Sequence, residues 1–359
     1  MVFDEARRDA FAGRLFSAGI ASLELMDVYL GERLGLYAAL QASGPLTPAG
    51  LAVQAGIHER YAREWLEQQA VAGVLDVEGE ADGDGTRFSL PAEHAEPLLD
   101  RRSMNYTVAL GRFLPAVGGQ MDAIVEAYRT GGGVPWSAYG EDVLTAQADF
   151  NRPMFEQLLV QEWLPQLPEV YARLQQTDAR IADIACGGGW SSIAMARGLP
   201  GATVDGFDYD GPSVALATRN AGDAGLADRV RIHQVDVSEP GLQGQYDLVT
   251  IFEALHDMSR PVEALAGARG LLRDGGVVLV MDERAEPSFS APAGEVERFL
   301  YSISTVVCLV NSMAEQPSAA LGTVLRESTV RHCAEEAGFA TVDVLPIEHE
   351  LFRFYALRP

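Results

Sequence analysis

A glycine-rich turn in the middle of the chain has the spacing of a cofactor-binding loop. Asp183 is followed by Ala185, Gly187 and Gly189, which fits an acid-x-Gly/Ala-x-Gly-x-Gly pattern. A dinucleotide-binding loop would need a glycine at position 190, which is Trp190 here. The turn therefore disfavours a pyrophosphate ligand. It favours an adenosine sulfonium ligand, whose amino group and positive sulfur suit a nearby carboxylate.

Acids also follow the next two segments that have the pattern of strands. Asp208 and Tyr209 end the second of these segments, and Asp236 and Val237 end the third. Asp208 stands where a ribose diol would lie. Asp236 could accept a hydrogen bond from an adenine amine, with Tyr209 and Val237 on either side of the ring. The alternative is that each acid only caps the helix that follows its strand.

A parallel sheet would bring these strand ends together. Strands and helical stretches alternate from residue 180 onward, which is typical of a parallel sheet covered by helices on both faces. The predicted strands cover 180–185, 203–207, 231–235, 247–252 and 277–281. Two more segments, 341–345 and 352–357, are separated by a short loop and should pair as an antiparallel edge. Ligands of such sheets bind beyond the carboxyl ends of the strands.

The N-terminal part has a different order of elements. The predicted elements are helices over 16–40, 48–56 and 59–72, and strands over 74–77 and 86–90. Two helices followed by a hairpin predict a winged helix. The loop between the strands is acidic and has no basic residue before Arg87, so we expect it to turn away from DNA phosphates.

Composition excludes several classes of enzyme. All 27 basic residues are arginines, and the formal net charge is −24. A chain without lysine cannot form a Schiff base or a P-loop, so pyridoxal enzymes, lysine aldolases and Walker ATPases are excluded. The negative charge repels phosphate backbones, so we expect no nucleic acid partner. The three cysteines form no Cys-x-x-Cys motif, which predicts free thiols and no zinc site.

Length and hydropathy predict the organisation of the chain. No apolar run is long enough to span a membrane, and the start lacks the basic and apolar regions of a signal peptide. We therefore expect a cytoplasmic protein without a membrane partner. The expected domains are a winged helix over 1–100, connector helices over 101–176 and a sheet domain over 177–359.

From residue 180 to the end, the chain resembles the class I S-adenosylmethionine (SAM)-dependent methyltransferases. The resemblance rests on the glycine turn, the acids at successive strand ends and the terminal hairpin. The N-terminal part is similar to the winged-helix dimerisation domain of small-molecule O-methyltransferases. It is closer still to an actinobacterial branch, as shown by the motifs REWL at 63–66, NRP at 151–153 and AEQPS at 314–318.

The resemblance implies a Rossmann-like, seven-stranded α/β sheet, a homodimer, SAM as cofactor and S-adenosylhomocysteine (SAH) as product. It implies SAM contacts at Asp183, Gly187, Asp208 and Asp236, with Phe252 beside the methionine part. Alanine at position 185 departs from the first glycine of the family pattern and is expected to be a conservative change.

His256 and Asp257 follow the fourth predicted strand and are the candidate catalytic residues. They resemble a His-Asp pair of plant-like O-methyltransferases, in which the histidine deprotonates the substrate hydroxyl. Methyl transfer is an in-line displacement, so the protein mainly positions a nucleophile and removes its proton. Histidine titrates in a suitable range. The alternative is that His256 only caps a helix or hydrogen-bonds in the cofactor pocket.

An insertion over 284–324 lies where a methyl acceptor would be covered. Its apolar residues have helical spacing, which is also typical of plain core. The candidate walls of an acceptor pocket, including one from the connector helices, are Phe155, Phe299, Tyr301, Cys308 and Met313. Nothing in the insertion suggests a catalytic metal.

These observations predict a metal-independent, SAM-dependent methyltransferase that acts on a small, partly apolar acceptor at a hydroxyl. One alternative is methylation at carbon or nitrogen by positioning alone. Another is a SAM-responsive regulator that uses the winged helix, and the acidic wing argues against it.

Overall fold

The computed structural model describes residues 3–79 and 85–359. Contacts divide the chain into two compact units, Met1–Ala116 and Val117–Pro359. The wing acids Glu80, Asp82 and Asp84, on which the expectation about DNA depends, lie outside the described residues. Over the described part of the chain, no helix combines the length and the apolar character that a membrane crossing needs.

The first unit is helical with one small hairpin. Its elements are α1 (Glu5–Arg33), α2 (Leu36–Ser43), α3 (Pro48–Ala55), α4 (Glu59–Val71), β1 (Asp76–Glu78), β2 (Arg87–Ser89) and α5 (Ala92–Leu99). The two strands pair antiparallel, with Val77 opposite Phe88. Thr47 caps α3 by accepting a hydrogen bond from the Gly50 N–H at 3.2 Å. This order of elements is the predicted winged helix.

The prediction of one helix over 16–40 is wrong. α1 begins well before residue 16, because the Asp4 carboxylate caps it by accepting from the Arg7 N–H at 3.1 Å. It ends before Gly35, whose φ of +67° lies in the left-handed region and interrupts the helix. α2 is therefore a separate helix.

The first unit has its own apolar core and one exposed apolar stripe. The core is made of side chains from α2, α3, α4 and the hairpin, namely Leu36, Tyr37, Leu40, Leu51, Trp65, Leu66, Leu75 and Phe88. In α1, by contrast, Phe16, Ile20, Leu23 and Leu30 are exposed. Their spacing of four, three and seven residues places them on one face of the helix. We call this face the α1 stripe.

The second unit contains a seven-stranded sheet of order β5-β4-β3-β6-β7-β9-β8. The strands are β3 (Arg180–Ile184), β4 (Thr203–Asp208), β5 (Val230–Gln234), β6 (Tyr246–Phe252), β7 (Leu272–Glu283), β8 (Thr341–Val344) and β9 (Phe352–Arg358). β3 to β7 run parallel, whereas β9 pairs antiparallel with both β7 and β8. The predicted α/β sheet with an antiparallel edge is confirmed.

Helices cover both faces of this sheet. The helices from residue 110 onward are α6 (Leu110–Thr130, which begins in the first unit), α7 (Gly140–Met154), α8 (Pro168–Leu174), α9 (Trp190–Gly198), α10 (Gly211–Asp223), α11 (Pro261–Leu271), α12 (Glu295–Ile303), α13 (Leu309–Ser312) and α14 (Glu327–Glu336). π-helical turns extend α7 over Phe155–Trp163 and join α12 to α13 over Ser304–Cys308, and Leu255–Asp257 is a 3₁₀ turn. Residues 117–176, expected to be connectors, lie in the second unit.

Alternate residues of each strand pack on opposite faces of the sheet. One apolar cluster contains Leu159, Trp163, Ile181 and Phe354, and the other contains Ile184, Val249, Leu265 and Tyr355. The three cysteines are free thiols, as predicted, and all three are buried. Because the chain order reverses between β3 and β6, the carboxyl ends of these two strands form the crevice in which ligands of such sheets bind.

Candidate active site

The chain leaves β3 through a turn with left-handed backbone. Ala185 and Gly187 have φ values of +53° and +51°. Glycine adopts this conformation freely, whereas another residue does so at a cost of about 1–2 kcal/mol. Ala185 is therefore a strained replacement for glycine, not the conservative one that the pattern predicts.

Asp183 holds the glycine turn against the sheet. Its carboxylate is buried and accepts hydrogen bonds from the hydroxyls of Ser191 and Ser192 at 2.6 Å and of Thr250 at 2.7 Å. Burial raises the pKa of Asp183, and these hydroxyls oppose the rise. The residue thus joins β3 to α9 and β6. Its direct contact with a ligand amino group stays a prediction.

Asp208 ties the end of β4 to the same turn. Its two oxygens accept from the backbone N–H groups of Gly187 and Asp210, both at 2.9 Å. Burial raises the pKa of Asp208 to about 6, although these hydrogen bonds lower it. The carboxylate is therefore held beside the turn. Tyr209, the next residue, is half-exposed.

Asp236 caps a turn after β5. Its Oδ1 accepts from the Ser238 N–H at 2.8 Å and hydroxyl at 2.6 Å, and its Oδ2 pairs with Arg260 at 2.9 Å. Val237 is buried. This arrangement agrees with the alternative that Asp236 caps the segment after its strand. A contact between Asp236 and an adenine amine stays a prediction.

Phe252 closes β6 against an aromatic partner from the segment that follows α7. Its ring stacks on Phe155 with the centroids 5.5 Å apart and the planes inclined by 30°. Both side chains are buried. Two residues that the sequence placed in different parts of the pocket are therefore in contact at the end of β6.

Glu253 is a site residue that was not predicted. It has a φ of +49°, so β6 ends in the same left-handed conformation as β3. Its Oε2 accepts hydrogen bonds from the side-chain amides of Asn151 and of Gln147, the latter at 3.2 Å. Burial raises the pKa of Glu253 to about 7, helped by the charge of Asp282, while Asn151 and His256 act in the opposite direction.

His256 is buried between carboxyl groups at the same edge of the sheet. Its Nδ1 lies 2.9 Å from Asp282 Oδ1 and 2.8 Å from Glu283 Oε2, and its Nε2 lies 3.6 Å from Asp257 Oδ1. Burial disfavours the charged imidazolium. The three carboxyl groups, led by that of Glu283, outweigh burial and raise the pKa of His256 well above its usual value.

Asp282 and Glu283 end β7 and respond differently to this histidine. Burial works against ionisation of both side chains. The charge of His256 nevertheless holds the pKa of Asp282 below its usual value. Burial and the charge of Asp282 raise the pKa of Glu283 well above its usual value. The site therefore favours the ionised form of Asp282 and the protonated form of Glu283.

Two family models match the chain in separate ranges. Residues 181–276 match a model described as a methyltransferase domain, and residues 21–101 match one described as an Rv2258c-like winged HTH domain. The chain carries a methyltransferase domain behind a winged-helix domain. The glycine turn, Asp208 and His256 all lie within the methyltransferase range, and both predicted domain types are confirmed.

Relatives of the methyltransferase domain are known from sequence and structure. The chain is 31% identical over 127 residues to the ubiquinone biosynthesis O-methyltransferase of Xanthomonas axonopodis pv. citri (strain 306), over 35% of this chain and 52% of that protein. The match thus spans about half the length of the curated relative. The mitomycin 7-O-methyltransferase MmcR shares the fold with a TM-score of 0.72 and 23% identity, over 99% of both chains. Human N-acetylserotonin methyltransferase, solved in complex with SAM, has a TM-score of 0.68 and 16% identity, over 99% of this chain and 98% of that chain.

The predicted pocket residues of the insertion have separate surroundings. Cys308 is buried, with its Sγ within 4.8 Å of ligand atoms of His256 and Asp257. Tyr301 packs edge-on against Phe289 and accepts a hydrogen bond from Arg326 at 3.2 Å. Phe299 is exposed. Met313 lies beside Gly133. Cys308 is thus placed at the catalytic histidine candidate, and a role for the others in the pocket stays a prediction.

Two groups of side chains in the described part of the methyltransferase domain could hold a metal ion. They are His256 with Asp282 and Glu283, and His256 with Asp257 and Cys308, with ligand atoms within 4.8 Å of one another. The members come from three separate segments, so their spacing along the chain gives no signal. The expectation that the reaction needs no metal stays a prediction.

Three acids of the methyltransferase domain were not predicted, although their positions at strand ends are visible in the sequence. Glu253 and Asp282 directly follow predicted strands, as Asp208 and Asp236 do, and Glu283 is the next residue after Asp282. The same argument from strand ends applies to all five. The amides of Gln147 and Asn151 carry no such signal, because α7 reaches the site only through tertiary packing.

Proposed function

We propose that the chain is a SAM-dependent methyltransferase that acts on a hydroxyl of a small, partly apolar molecule. The observation that carries the proposal is that the glycine turn, Asp208 and His256 share the carboxyl edge of one parallel sheet. SAM supplies a methyl group on a positively charged sulfur, so the protein has to bind this donor and place a nucleophile in line with the methyl. The O-methyltransferase relatives and the SAM complex of the human neighbour support this assignment.

The donor side of the site suits a nucleoside without phosphate. Asp208 offers a carboxylate to the ribose hydroxyls, beside a turn formed by Ala185, Gly187 and Gly189. Asp236 is proposed to accept a hydrogen bond from the adenine amine in addition to those from Ser238 and Arg260. The adenine ring is proposed to lie between Tyr209 and Val237. Phe252 is proposed to lie beside the methionine part, and SAH is the expected product.

On the acceptor side, His256 is proposed as the general base. Nδ1 is hydrogen-bonded to Asp282, with Glu283 Oε2 also 2.8 Å away, which leaves Nε2 to accept the proton of the acceptor hydroxyl. Asp257 is proposed to fix the orientation of the ring through its contact with Nε2 at 3.6 Å. Since the carboxyl groups raise the pKa of His256, its base function should increase toward alkaline pH.

A second candidate is methylation at carbon or nitrogen by positioning alone. The observation in its favour is that Asp282 and Glu283 lie 2.9 and 2.8 Å from Nδ1 of His256, and their carboxyl groups raise its pKa and so favour the charged imidazole. A charged imidazole cannot accept a proton, but it can orient an acceptor through a hydrogen bond.

The proposal extends to the assembly. The α1 stripe supports a homodimer, because an exposed apolar face of this kind marks interaction sites. We also propose, as the sequence predicts, a small-molecule acceptor and a cytoplasmic location. We propose no nucleic acid partner and no membrane partner.

An acceptor screen distinguishes the two candidates. Phenolic and keto-acid compounds would be incubated with SAM and the full chain, and products would be located by mass spectrometry and NMR. We expect a methyl ether whose yield falls when His256 is replaced by alanine. A product methylated at carbon or nitrogen, formed equally by both proteins, would replace the first candidate by the second.

A further inference from the structure

Glu253 ends β6 in a conformation that glutamate seldom adopts. Its φ of +49° lies in the left-handed region, and Ala185 at the end of the adjacent strand β3 has a φ of +53°. Strained residues of this kind persist only where their surroundings hold them, and they cluster at ligand-binding and catalytic sites. Ala185 and Glu253 are two such residues at neighbouring strand ends. Backbone strain is therefore retained in the crevice between β3 and β6.

The surroundings of Glu253 orient its carboxylate with neutral hydrogen-bond donors. Asn151 and Gln147 donate side-chain amide hydrogen bonds to Oε2, and both donors are neutral. In the described ranges 3–79 and 85–359, Glu253 forms no ion pair with an arginine. The residue is only partly buried, so a ligand can reach it.

The helix that carries these amides also packs on the glycine turn. A Cβ placed on Gly188 would lie 2.6 Å from the Cβ of Ala148, which stands in α7 between Gln147 and Asn151. α7 therefore contacts both the turn after β3 and the acid after β6. Glu253 lies in the crevice between the glycine turn and the segment that holds His256.

We propose that Glu253 binds a positively charged centre of SAM, either the α-ammonium or the sulfonium, and so positions the methyl donor. This inference rests on the proposed function. The carboxylate of Asp183, which the turn pattern assigns to this charge, already accepts three hydroxyls of the protein. Glu253 has only neutral donors, and an ionised carboxylate forms strong hydrogen bonds with a cationic donor.

Calorimetric titration of SAM and SAH into the wild type, Glu253→Gln and Glu263→Gln tests this proposal. Glu263 is an exposed acid of α11 and serves as the matched control. Glu253→Gln should weaken SAM binding by about 10-fold to 100-fold, the usual effect of losing a charge-assisted hydrogen bond. SAH keeps the ammonium but has no positive sulfur. Equal weakening for both ligands assigns Glu253 to the ammonium, and weakening for SAM alone assigns it to the sulfonium.

A second variant separates binding from folding. Glu253→Gly removes the carboxylate and relieves the left-handed strain, which offsets the loss of the hydrogen bonds from Asn151 and Gln147, so its melting temperature should stay close to that of the wild type. It should lose SAM affinity as Glu253→Gln does. Wild-type affinity for both ligands in both variants would overturn the proposal. A wild type that binds neither ligand would instead refute the proposed function itself.

Proton release gives an independent readout. The titratable groups that act on Glu253 are His256 and Asp282, while α7 presents the neutral amides of Gln147 and Asn151. A bound cation favours the ionised carboxylate, so SAM binding near the pKa of Glu253, about 7, should release a proton. Binding enthalpies in buffers of different ionisation enthalpy would show it. The release should decrease in Glu253→Gln, and an unchanged release would contradict the proposal.

Discussion

At the scale of single residues, the site depends on carboxyl groups that surround one buried histidine. His256 and the acids at the ends of β3, β4 and β5 are predictable, because polar residues that directly follow an apolar strand stand out in the sequence. The partners of His256 are harder to predict. Asp282 and Glu283 meet it only because β7 lies beside β6, and that adjacency is a property of the sheet.

Replacing His256 by alanine tests the proposed base. We expect kcat to fall roughly 10²–10⁴-fold, the usual contribution of a positioned general base, while SAM affinity changes little. Only neutral imidazole accepts a proton, and the carboxyl groups raise its pKa above 6.5. Wild-type kcat should therefore rise with pH through a value above 6.5, and the rise should be absent from His256→Ala.

Two further variants complete this test. His256→Asn keeps a hydrogen-bonding side chain but cannot take a proton, so its kcat should be as low as that of His256→Ala. His332→Ala, on the exposed face of α14, should behave as the wild type. Near-normal turnover in His256→Ala with the true acceptor would refute the base and favour methylation by positioning.

At the scale of elements, apolar periodicity and turn residues predict most helices and strands of the described chain. They fail in α1, where apolar spacing continues past Gly35 but the left-handed backbone there divides the helix. They also give no sign that α7 covers the glycine turn. That contact depends on the small side chain of Ala148 facing Gly188, and a close approach between distant segments leaves no local pattern.

The packing of α11 on the loop after β5 can be tested at Gly267. A Cβ at this position would lie 2.1 Å from the carbonyl oxygen of Val237. Gly267→Ala should therefore displace the loop that carries Asp236, destabilise the protein by roughly 1–3 kcal/mol as overpacking does, and weaken SAM binding. Thermal unfolding and calorimetry would measure the two effects.

Gly222 provides the matched control for this substitution. It lies in α10, and a Cβ there would meet nothing within 4 Å. Gly222→Ala should leave SAM affinity unchanged and stabilise the protein by up to about 1 kcal/mol, because alanine is the better helix former. Equal stability of both variants would show that the contact between Gly267 and Val237 is not tight.

At the scale of the whole molecule, the net charge of −24 and the absence of lysine exclude mechanisms without identifying a substrate. The fold class follows from the order of strands and helices. The acceptor does not, because the proposed pocket would draw its side chains from the insertion, the segment after α7 and the strand ends. Residues such as Phe155 and Phe252 are nearly 100 positions apart and meet only in the folded chain.

The α1 stripe makes the proposed homodimer testable. Replacing Phe16, Ile20 and Leu23 by serine removes apolar surface that is exposed in one chain, so the variant should sediment as a monomer where the wild type sediments as a dimer. Phe289→Ser changes an equally exposed aromatic residue of the second unit and should leave the dimer intact. A wild type that is monomeric at micromolar concentration would contradict the dimer.

Calorimetric titration of SAM and SAH into the full chain tests the central claim most directly. We expect both ligands to bind at one site per chain, and Asp208→Ala to weaken binding by about 1–3 kcal/mol, because ligand hydroxyls lose a buried acceptor. Asp223→Ala, an exposed change at the end of α10, should retain the wild-type affinity. A wild type that binds neither ligand, or an Asp208→Ala variant that binds both as tightly as the wild type, would contradict the account.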